Sequence, residues 1–388
     1  MHDDVVIVGV GLVPFGRHPE EAGNHLGARA VRAALADAGL TWAAVGAAYG
    51  GSMEAGNADA MAVHLGLTGL PFTNIFNGCA TGGAALANAV AAIRSGVTEV
   101  AVAVGFDKHG RGAFNLQPAQ WGLPQWYGDT GLMLTSQTQA LKVQRYLHET
   151  GIGNDALVRV AENAYRNGAL TPTAWRREAL SYDQIAGSEM ISAPLRKYMY
   201  CSPADGGAAV VLCSAERARR LRAMPVRIRA VALRTRLHGA VVGIAPALAP
   251  RQPLSPTALA ARTAYEMAGI APGDIDVAQL QDTESGSLII NMAENGFCEH
   301  GEQERLIRDG AFALAGRLPV NTDGGCMANG EPVGATGLRQ VYEICTQLRG
   351  QAGARQVGRQ AGGGPRLGYT HVYGAPGVSC VTILERAA

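Results

Sequence analysis

The segment NGCATGGAALANAVAAI, residues 77–93, joins a cysteine to the start of an alanine-rich helical pattern. Small and apolar residues recur at helical spacing after Cys79, so the thiol is expected at the N-terminus of a buried helix. The helix dipole and the free N–H groups there favour the thiolate form. Gly78, Gly82 and Gly83 allow a tight turn and the close approach of a substrate. The segment predicts a nucleophilic Cys79; the alternative is a cysteine that packs as a small apolar residue.

The same kind of helical pattern occurs twice in the chain. Residues 26–40 (LGARAVRAALADAGL) follow an apolar run of strand length at 4–11 and end near a glycine. Residues 258–270 (ALAARTAYEMAGI) repeat the small residues in register, and each copy leads into a predicted strand, at 45–49 and 275–281. Two alanine-rich helices can resemble each other through composition alone. A duplicated α/β architecture accounts for both copies more economically.

Further predicted strands divide the chain into two halves. They lie at 208–214, 226–233 and 378–386. We therefore expect an N-terminal half over residues 1–220 and a C-terminal half over residues 221–388. A polar and aromatic stretch at about 107–200 interrupts the first half, and we interpret it as an inserted region that covers one face.

The overall composition excludes several classes of protein. The chain has 388 residues and a formal net charge of +1, so it has no general attraction for nucleic acid or for an anionic membrane. Its cysteines number 7 and lack Cys-x-x-Cys spacing, which argues against a zinc site and against a disulfide framework. Acidic residues occupy the start, where a secretory signal needs positive charge, and no window reaches the roughly 18 apolar residues of a membrane span. We expect a cytoplasmic protein with reduced thiols and no metal site.

A second glycine-rich segment, NTDGGCMANGEPVGATGLRQ at residues 321–340, also runs into a helical pattern. Its glycines indicate a tightly approached backbone, with Glu331 and Pro332 at the centre. A phosphate-binding loop is disfavoured, because the Gly-x-x-x-x-Gly-Lys-Ser/Thr pattern is absent and no lysine is near.

A third segment, GYTHVYGAPGVSCVTILER at residues 368–386, places two polar ring side chains before a Gly-Ala-Pro-Gly turn and a final strand. His371 and Tyr373 are two residues apart, so on a strand their side chains share a face. The alternatives are that Tyr373 is an aromatic residue packed beside the turn and that His371 is a core or capping histidine.

Together with SAPLRKYMYCSPADGGAAVVL at 192–212 and LQDTESGSLIINMAENGFCEHGE at 280–302, these three segments resemble the thiolase superfamily, most closely its sterol-carrier-type and lipid-transfer-type branch. The resemblance covers nearly the whole chain. It implies an α/β fold with two pseudo-symmetric halves in a layered α-β-α-β-α arrangement and an inserted loop region. It also implies a nucleophilic cysteine, matched by Cys79, at the start of a buried helix.

Two positions depart from the family pattern. Glu331 stands where the family has a histidine that helps to activate the nucleophile and donates to the thioester oxyanion. An ionised carboxylate cannot donate, but Glu331 could act as a base if burial raised its pKa; the alternative is a charge that anchors the loop. Tyr373 stands where the family has a second cysteine, the acid and base at the substrate α-carbon, and its O–H suits donation to an enolate or a β-hydroxyl oxygen.

The resemblance also assigns residues around the substrate. Gln281 replaces an Asn or His of the family and keeps an N–H donor for an oxyanion. Gly330 and Gly374 flank the two departures and are expected beside the substrate. His109 follows a predicted strand where the inserted region approaches the site, although it could equally belong to a solvated loop. His371 could supply the imidazole that the family histidine provides elsewhere.

Three functions remain open at this point. The favoured one is a thiolase-type acyltransferase that cleaves or forms a 3-oxoacyl-CoA through an acyl-enzyme on Cys79. The second is a CoA-thioester aldolase, or retro-aldolase, of the lipid-transfer-type branch that uses Tyr373. The third is a non-catalytic carrier of acyl-CoA or lipid.

The resemblance also implies partners. Coenzyme A is expected as a substrate, with no permanently bound cofactor. A homodimer or tetramer is expected, together with a small zinc-ribbon/OB-fold partner subunit that would itself hold any zinc. The acyl group is not evident from the residues, because the aromatic side chains of the inserted region could line a bulky pocket or a domain core.

Overall fold

A computed structural model describes residues 4–387 apart from 111, 113, 115, 116, 122, 222, 238–253 and 359–362, and apart from the side chains of 120 and 121. Part of the inserted region predicted at about 107–200 therefore lies outside the described residues. Among the described helices, none could span a bilayer, since each is too short or too polar.

The described part of the chain is an alternation of strands and helices. The strands are β1 Val5–Gly16, β2 Ala47–Gly51, β3 Phe72–Asn74, β4 Val100–Asp107, β5 Met190–Ser192, β6 Leu195–Arg196, β7 Asp205–Ser214, β8 Val226–Thr235, β9 Val277–Leu280, β10 Leu367–Gly374 and β11 Val378–Arg386. The helices are α1 Gly23–Ala38, α2 Ala62–Leu65, α3 Thr81–Arg94, α4 Trp126–Asp129, α5 Thr135–Thr150, α6 Asn154–Ala169, α7 Tyr182–Ala186, α8 Ala215–Ala218, α9 Pro256–Ala268, α10 Ser285–Glu294, α11 Gln303–Arg308, α12 Gly325–Asn329 and α13 Thr336–Leu348. The predicted α/β class is confirmed.

Most of the strands join in one mixed sheet, in the order β3-β2-β4-β7-β1-β8-β11-β10-β9, while β5 and β6 pair separately. Strand β1 pairs with β7 along its length but meets β8 only at Val6 and Ile7, so a short seam links the two parts of the sheet. Strand β1 runs to Gly16, well beyond the predicted end at residue 11, because its second part continues the antiparallel pairing as far as Asp205 in β7.

The sequence repeat folds twice into the same local structure. Helix α1 ends at Gly39 with φ 66°, and helix α9 ends at Gly269 with φ 65°. Both glycines adopt the left-handed conformation that closes a helix and that other residues resist. Each is followed by a short 3₁₀ turn and then by a strand, β2 or β9. This repetition confirms the two pseudo-symmetric α/β halves.

The helices form three layers around the two parts of the sheet. Helix α1 packs on β1, β4 and β7 from outside, and α9 packs on β8 and β11. Helices α3 and α13 contact each other and strands of both parts, so they form the middle layer. Their apolar side chains, including Leu86, Val90, Leu338 and Ile344, belong to one buried cluster. The predicted layered arrangement is thereby confirmed.

Glycines let the two middle helices approach closely. A Cβ added at Gly337 in α13 would stand 2.9 Å from the backbone N of Gly83 in α3. A Cβ added at Gly83 would stand 2.8 Å from Cβ and 2.9 Å from Sγ of Cys380 on β11. Because α3 follows the cysteine segment and α13 follows the Glu331 loop, this packing brings the two predicted site segments together.

Replacing Gly83 with alanine is expected to lower the free energy of unfolding by about 1–3 kcal/mol, because the added methyl group overpacks a filled core. Urea unfolding followed by circular dichroism measures this change. Gly273→Ala is the matched control, since nothing lies within 4 Å of its added Cβ, and it should stay within about 0.5 kcal/mol of the parent. Equal stability of both variants would contradict the close packing.

Candidate active site

Cys79 lies in a tight turn between β3 and α3. Helix α3 begins at Thr81, which confirms the predicted position of the thiol at a helix start. The Thr81 hydroxyl accepts the N–H of Asn77 at 2.9 Å and donates to the carbonyl of Gly78 at 2.6 Å. Gly78 has φ 58°, and a Cβ there would stand 2.8 Å from the carbonyl oxygen of Ala375. The turn thus depends on both the threonine and the glycine.

The end of β10 packs directly on this turn. A Cβ added at Gly374 would collide with the carbonyl oxygen of Asn77 and stand 2.8 Å from the N of Ala80. Gly374 therefore allows the close approach of the two segments. The neighbouring Tyr373 comes near enough to Cys79 for the charge of one to act on the other.

The carboxylate of Glu331 is fully buried and is the centre of the site. Its Oε1 accepts a hydrogen bond from Nε2 of Gln281 at 2.7 Å, and its Oε2 accepts one from Sγ of Cys201 at 3.4 Å. The thiol of Cys79 lies close enough to this carboxylate for each group to shift the pKa of the other. The structure thus brings together Cys79, Glu331 and Gln281, which the sequence predicted at the site, and adds Cys201.

Burial decides the protonation of the thiol and the acid. Burial raises the pKa of Glu331, while its hydrogen bonds from Cys79, Cys201 and Gln281 act in the opposite direction. Burial also raises the pKa of the Cys79 thiol well above its usual range, and the Glu331 carboxylate adds to this rise. The burial of Cys79 thus opposes the effect of the helix start, which the sequence predicted to favour the thiolate. The charged form of Glu331 is a base placed to accept the proton of this thiol.

His109 and Asp107 hold the backbone of the Glu331 loop. Nε2 of the buried His109 accepts the N–H of Val333 at 3.2 Å, and its Nδ1 lies 3.0 Å from Oε2 of Glu54. Asp107 accepts the N–H of Gly334 at 2.8 Å. The structure therefore places His109 beneath the loop, with both ring nitrogens in use, whereas the sequence suggested a contact with substrate.

The Glu331 loop also pairs with the segment that carries Cys201. The N–H of Glu331 donates to the carbonyl of Ser202 at 2.9 Å. Gly330 has φ 82°, and a Cβ there would stand 2.7 Å from Cβ of Ala204. The N–H of Cys201 donates to the carbonyl of Thr283 at 2.8 Å. The structure thus shows Gly330 as the residue that lets the two segments approach.

His371 lies on β10 and is fully buried on the side of α9. Its Nε2 is 3.1 Å from Oγ1 of Thr257, and its Nδ1 has no hydrogen-bond partner among the described residues. Burial, with a smaller effect of Lys142, lowers the pKa of His371 to about 3. The ring is therefore neutral, and no contact in the described part of the chain joins it to Cys79 or Glu331.

Tyr373 remains a protonated donor. Burial raises the pKa of its phenol, and the charge of Glu294 adds to the rise. Its hydroxyl donates to the carbonyl of Pro376 at 3.3 Å, a long bond that a substrate oxygen could replace. The structure therefore brings Tyr373 to the edge of the cysteine turn as a hydrogen-bond donor.

Sequence reasoning did not single out Cys201, Cys326 or Asp282. Cys326 is the second residue of α12, and its N–H donates to Oδ1 of Asp282 at 2.7 Å. Burial raises the pKa of Asp282 to about 7, although the charge of Arg339 opposes the rise. Cys201 and Asp282 fall within segments 192–212 and 280–302, which the family resemblance had already marked. Residue type and spacing gave no further signal, because the contacts are made between distant parts of the chain.

Comparison with known proteins agrees with this geometry. Two family models match: the thiolase N-terminal domain at residues 5–178 and the thiolase C-terminal domain-like model at residues 249–386. An acetyl-CoA acetyltransferase of Methanothermobacter thermautotrophicus is 34% identical over 99% of this chain and 100% of its own length. Human sterol carrier protein 2 is 28% identical over 98% of this chain and 72% of its own length. A solved structure described as "Ltp2-ChsH2(DUF35) aldolase" superposes with a TM-score of 0.86 at 26% identity, with 99% of both chains covered.

The chain therefore belongs to the thiolase family of acyltransferases, within the branch that includes sterol carrier protein 2. The thiolase-like fold expected from the sequence is confirmed. Both matched regions contain site residues, since Cys79 falls in the N-terminal match and Glu331 and Tyr373 fall in the C-terminal match.

Replacing Glu331 with glutamine is expected to lower the pKa of the Cys79 thiol, because the change removes an adjacent negative charge. Alkylation of Cys79 by iodoacetamide, followed by peptide mass spectrometry from pH 7 to 10, should become several-fold faster than in the parent. Cys298 is the internal control, since its charged neighbours are Glu302, Arg317 and Glu299. Slower alkylation of Cys79 in the variant would show instead that Glu331 already promotes the thiolate in the free protein.

The buried neutral His371 is expected to make stability depend on pH. The unfolded chain takes up a proton near pH 6.5, whereas the folded ring does so only at about 3, so acid favours unfolding. From pH 6.5 downward the parent should lose up to about 1.4 kcal/mol per pH unit more than His371→Gln, which cannot take up that proton. Urea unfolding at pH 7, 6 and 5 measures the difference. Parallel stability curves would show that His371 is charged or exposed in the folded protein.

Proposed function

We propose that this protein cleaves or forms a 3-oxoacyl-CoA through an acyl-enzyme on Cys79. The observation that carries the proposal is the position of the Cys79 thiol at the start of α3, close enough to the buried carboxyl group of Glu331 for each to shift the pKa of the other. A nucleophile in contact with a base is the arrangement that covalent acyl transfer requires. A carrier that only binds acyl-CoA has no use for such a pair, which argues against the third function considered from the sequence.

In the cleavage direction, Glu331 takes the proton of the Cys79 thiol as the sulfur attacks the 3-oxo carbon. The bond between C2 and C3 then breaks, the acyl group stays on the sulfur, and the electron pair passes to C2 as a thioester enolate. The proton held by Glu331 then passes to C2, which releases the acyl-CoA that contains C1 and C2 and returns Glu331 to its charged form. The thiol of free coenzyme A then attacks the acyl-enzyme, and its proton returns to Cys79 through Glu331.

The raised pKa of Glu331 suits its role as a base. Burial makes its carboxylate a stronger base than an exposed carboxylate would be. Gln281 uses Nε2 to hold Oε1 of Glu331, and its second N–H is the donor that we assign to the thioester oxyanion. Tyr373, protonated and loosely bonded, is the donor that we assign to the enolate.

Coenzyme A is thus proposed as a substrate and not as a resident cofactor. We also propose that the chain works as a homodimer or tetramer with a small partner subunit. Support for the partner comes from the family resemblance and from the solved neighbour, whose description names ChsH2(DUF35) beside Ltp2.

A second candidate is a CoA-thioester aldolase. The protonated Tyr373 beside the cysteine turn and the aldolase among the solved neighbours favour it. A base would take the proton of a β-hydroxyl group, the bond between C2 and C3 would break to a carbonyl product and an enolate, and protonation of C2 would release acyl-CoA. No acyl-enzyme would form, so the state of Cys79 distinguishes the two reactions.

Incubation with a panel of 3-oxoacyl-CoAs and acyl-CoAs is expected to acylate Cys79, as measured by intact-protein and peptide mass spectrometry. Cys79→Ala should lose the adduct, and its thiolysis rate should fall by roughly 10⁴-fold or more, as when other covalent nucleophiles are removed. Cys298→Ala, which removes another partly buried free thiol, should behave like the parent.

Absence of an adduct from protein that still binds CoA esters would overturn the acyl-enzyme. Cleavage of a 3-hydroxyacyl-CoA that survives in Cys79→Ala and fails in Tyr373→Phe would then establish the aldolase.

A further inference from the structure

Two thiols contact one carboxylate at the centre of the site. Cys201 donates to Oε2 of Glu331 at 3.4 Å, and Cys79 interacts with the same carboxylate. Both cysteines are partly exposed, whereas Cys326, the third cysteine nearby, is completely buried. The proposed reaction uses the Cys79 thiol as the nucleophile but assigns no role to Cys201.

The backbone around Cys201 is fixed on two sides. The N–H of Cys201 bonds to Thr283, next to the segment of Gln281, and the following Ser202 accepts the N–H of Glu331. A β-bridge between Pro203 and Glu331 extends this pairing. The position of the Cys201 sulfur relative to Oε2 is therefore set by the fold and not by a mobile side chain alone.

The two oxygens of Glu331 have partners of different chemical character. Oε1 is held by the amide N–H of Gln281 at 2.7 Å, a group that can only donate. Oε2 is held by the Cys201 thiol, which can donate through S–H or accept at sulfur. When Glu331 takes a proton, Oε1 cannot carry it without losing the Gln281 bond. Oε2 can carry it if the Cys201 thiol turns to accept.

We propose that Cys201 is a positioning residue for the general base: its thiol donates to Oε2 of the charged Glu331 and becomes the acceptor when that oxygen takes the proton of Cys79. This inference rests on the proposed function and assigns to Cys201 the control of proton uptake at Glu331. Removal of the Cys201 thiol is therefore expected to destabilise the charged form of Glu331 relative to its protonated form.

Among the described residues, the titratable groups that act most strongly on Glu331 include the thiols of Cys79 and Cys201, the imidazole of His109 and, through charge, the buried Cys326. Of these, Cys79 is consumed in the reaction, and the ring nitrogens of His109 are engaged with Val333 and Glu54. Cys326 lies beside Asp282 and Arg339. Cys201 is bonded to the carboxylate, is not consumed in the proposed reaction and can reverse its hydrogen bond.

The test measures the titration of Glu331 itself. Infrared difference spectra of the full-length protein, recorded against pH, report the carboxylic acid band, and Glu331→Gln identifies it. In Cys201→Ala the midpoint is expected to move to higher pH, because the charged form loses a hydrogen bond. Cys201→Ser, which keeps a group that donates and accepts, should return the midpoint towards the parent value, and Cys298→Ala should leave it unchanged.

The kinetic readout is the pH profile of Cys79 acylation by 3-oxoacyl-CoA. Cys201→Ala should lower the acylation rate near neutral pH by about tenfold, which corresponds to the loss of one hydrogen bond to a charged group. The loss of rate should be smaller at high pH. Cys201→Ser should restore most of the rate. An unmoved infrared midpoint in Cys201→Ala, or an equal loss at every pH, would overturn the assignment. Failure of every variant and of the parent to form an acyl-enzyme, with the infrared midpoint shifted as expected, would reject the proposed function and leave the Cys201–Glu331 pair standing.

Discussion

The close packing of α3 on α13 is the constraint on which the site depends. Each helix follows directly on a loop that carries one of the two groups proposed to react, Cys79 before α3 and Glu331 before α13. Gly82 in α3 and Gly337 in α13 lack the side chains that would otherwise separate the helices, whereas Gly83 allows α3 to approach β11. The Cys79 thiol and the Glu331 carboxylate therefore lie close together because the backbones of α3 and α13 pack in contact in the core. The loops before the two helices make smaller adjustments to the distance between the two groups.

The second constraint is the desolvation of the charged groups. A buried carboxylate is costly unless its oxygens are satisfied, and here an amide and thiols provide the partners of Glu331. The same burial keeps the Cys79 thiol protonated in the free protein. In the proposed reaction, Cys79 therefore stays a thiol until a bound substrate presents a polarised carbonyl to the sulfur. The hydrogen-bonded Glu331 can thus remain buried in the folded protein and still take part in the proposed proton transfer from Cys79.

The sequence predicted the repeated helix, strand and glycine pattern because these signals are local. It also predicted Cys79 at a helix start and Tyr373 with His371 on one strand. It did not predict Cys201, because that residue reaches Glu331 only through backbone pairing between segments about 130 residues apart. Nor could it predict the protonation of Cys79, since the effect of burial depends on tertiary packing that no spacing reveals. The sequence also could not show that His109 makes no hydrogen bond to the Glu331 carboxylate. Its Nε2 instead accepts the N–H of Val333 in the Glu331 loop, a contact that depends on tertiary packing.

The seam between β1 and β8, described above as two paired positions, has a consequence for the origin of this architecture. In a symmetric pair of identical single repeats, equivalent helix starts would carry the same residue, so a thiol could face only another thiol. Covalent fusion of the repeats removes that restriction, and each copy can then change without the other. The thiol before α3 and the carboxylate before α13 are such a divergence. One chain that contains both copies therefore allows asymmetric chemistry on a nearly symmetric scaffold.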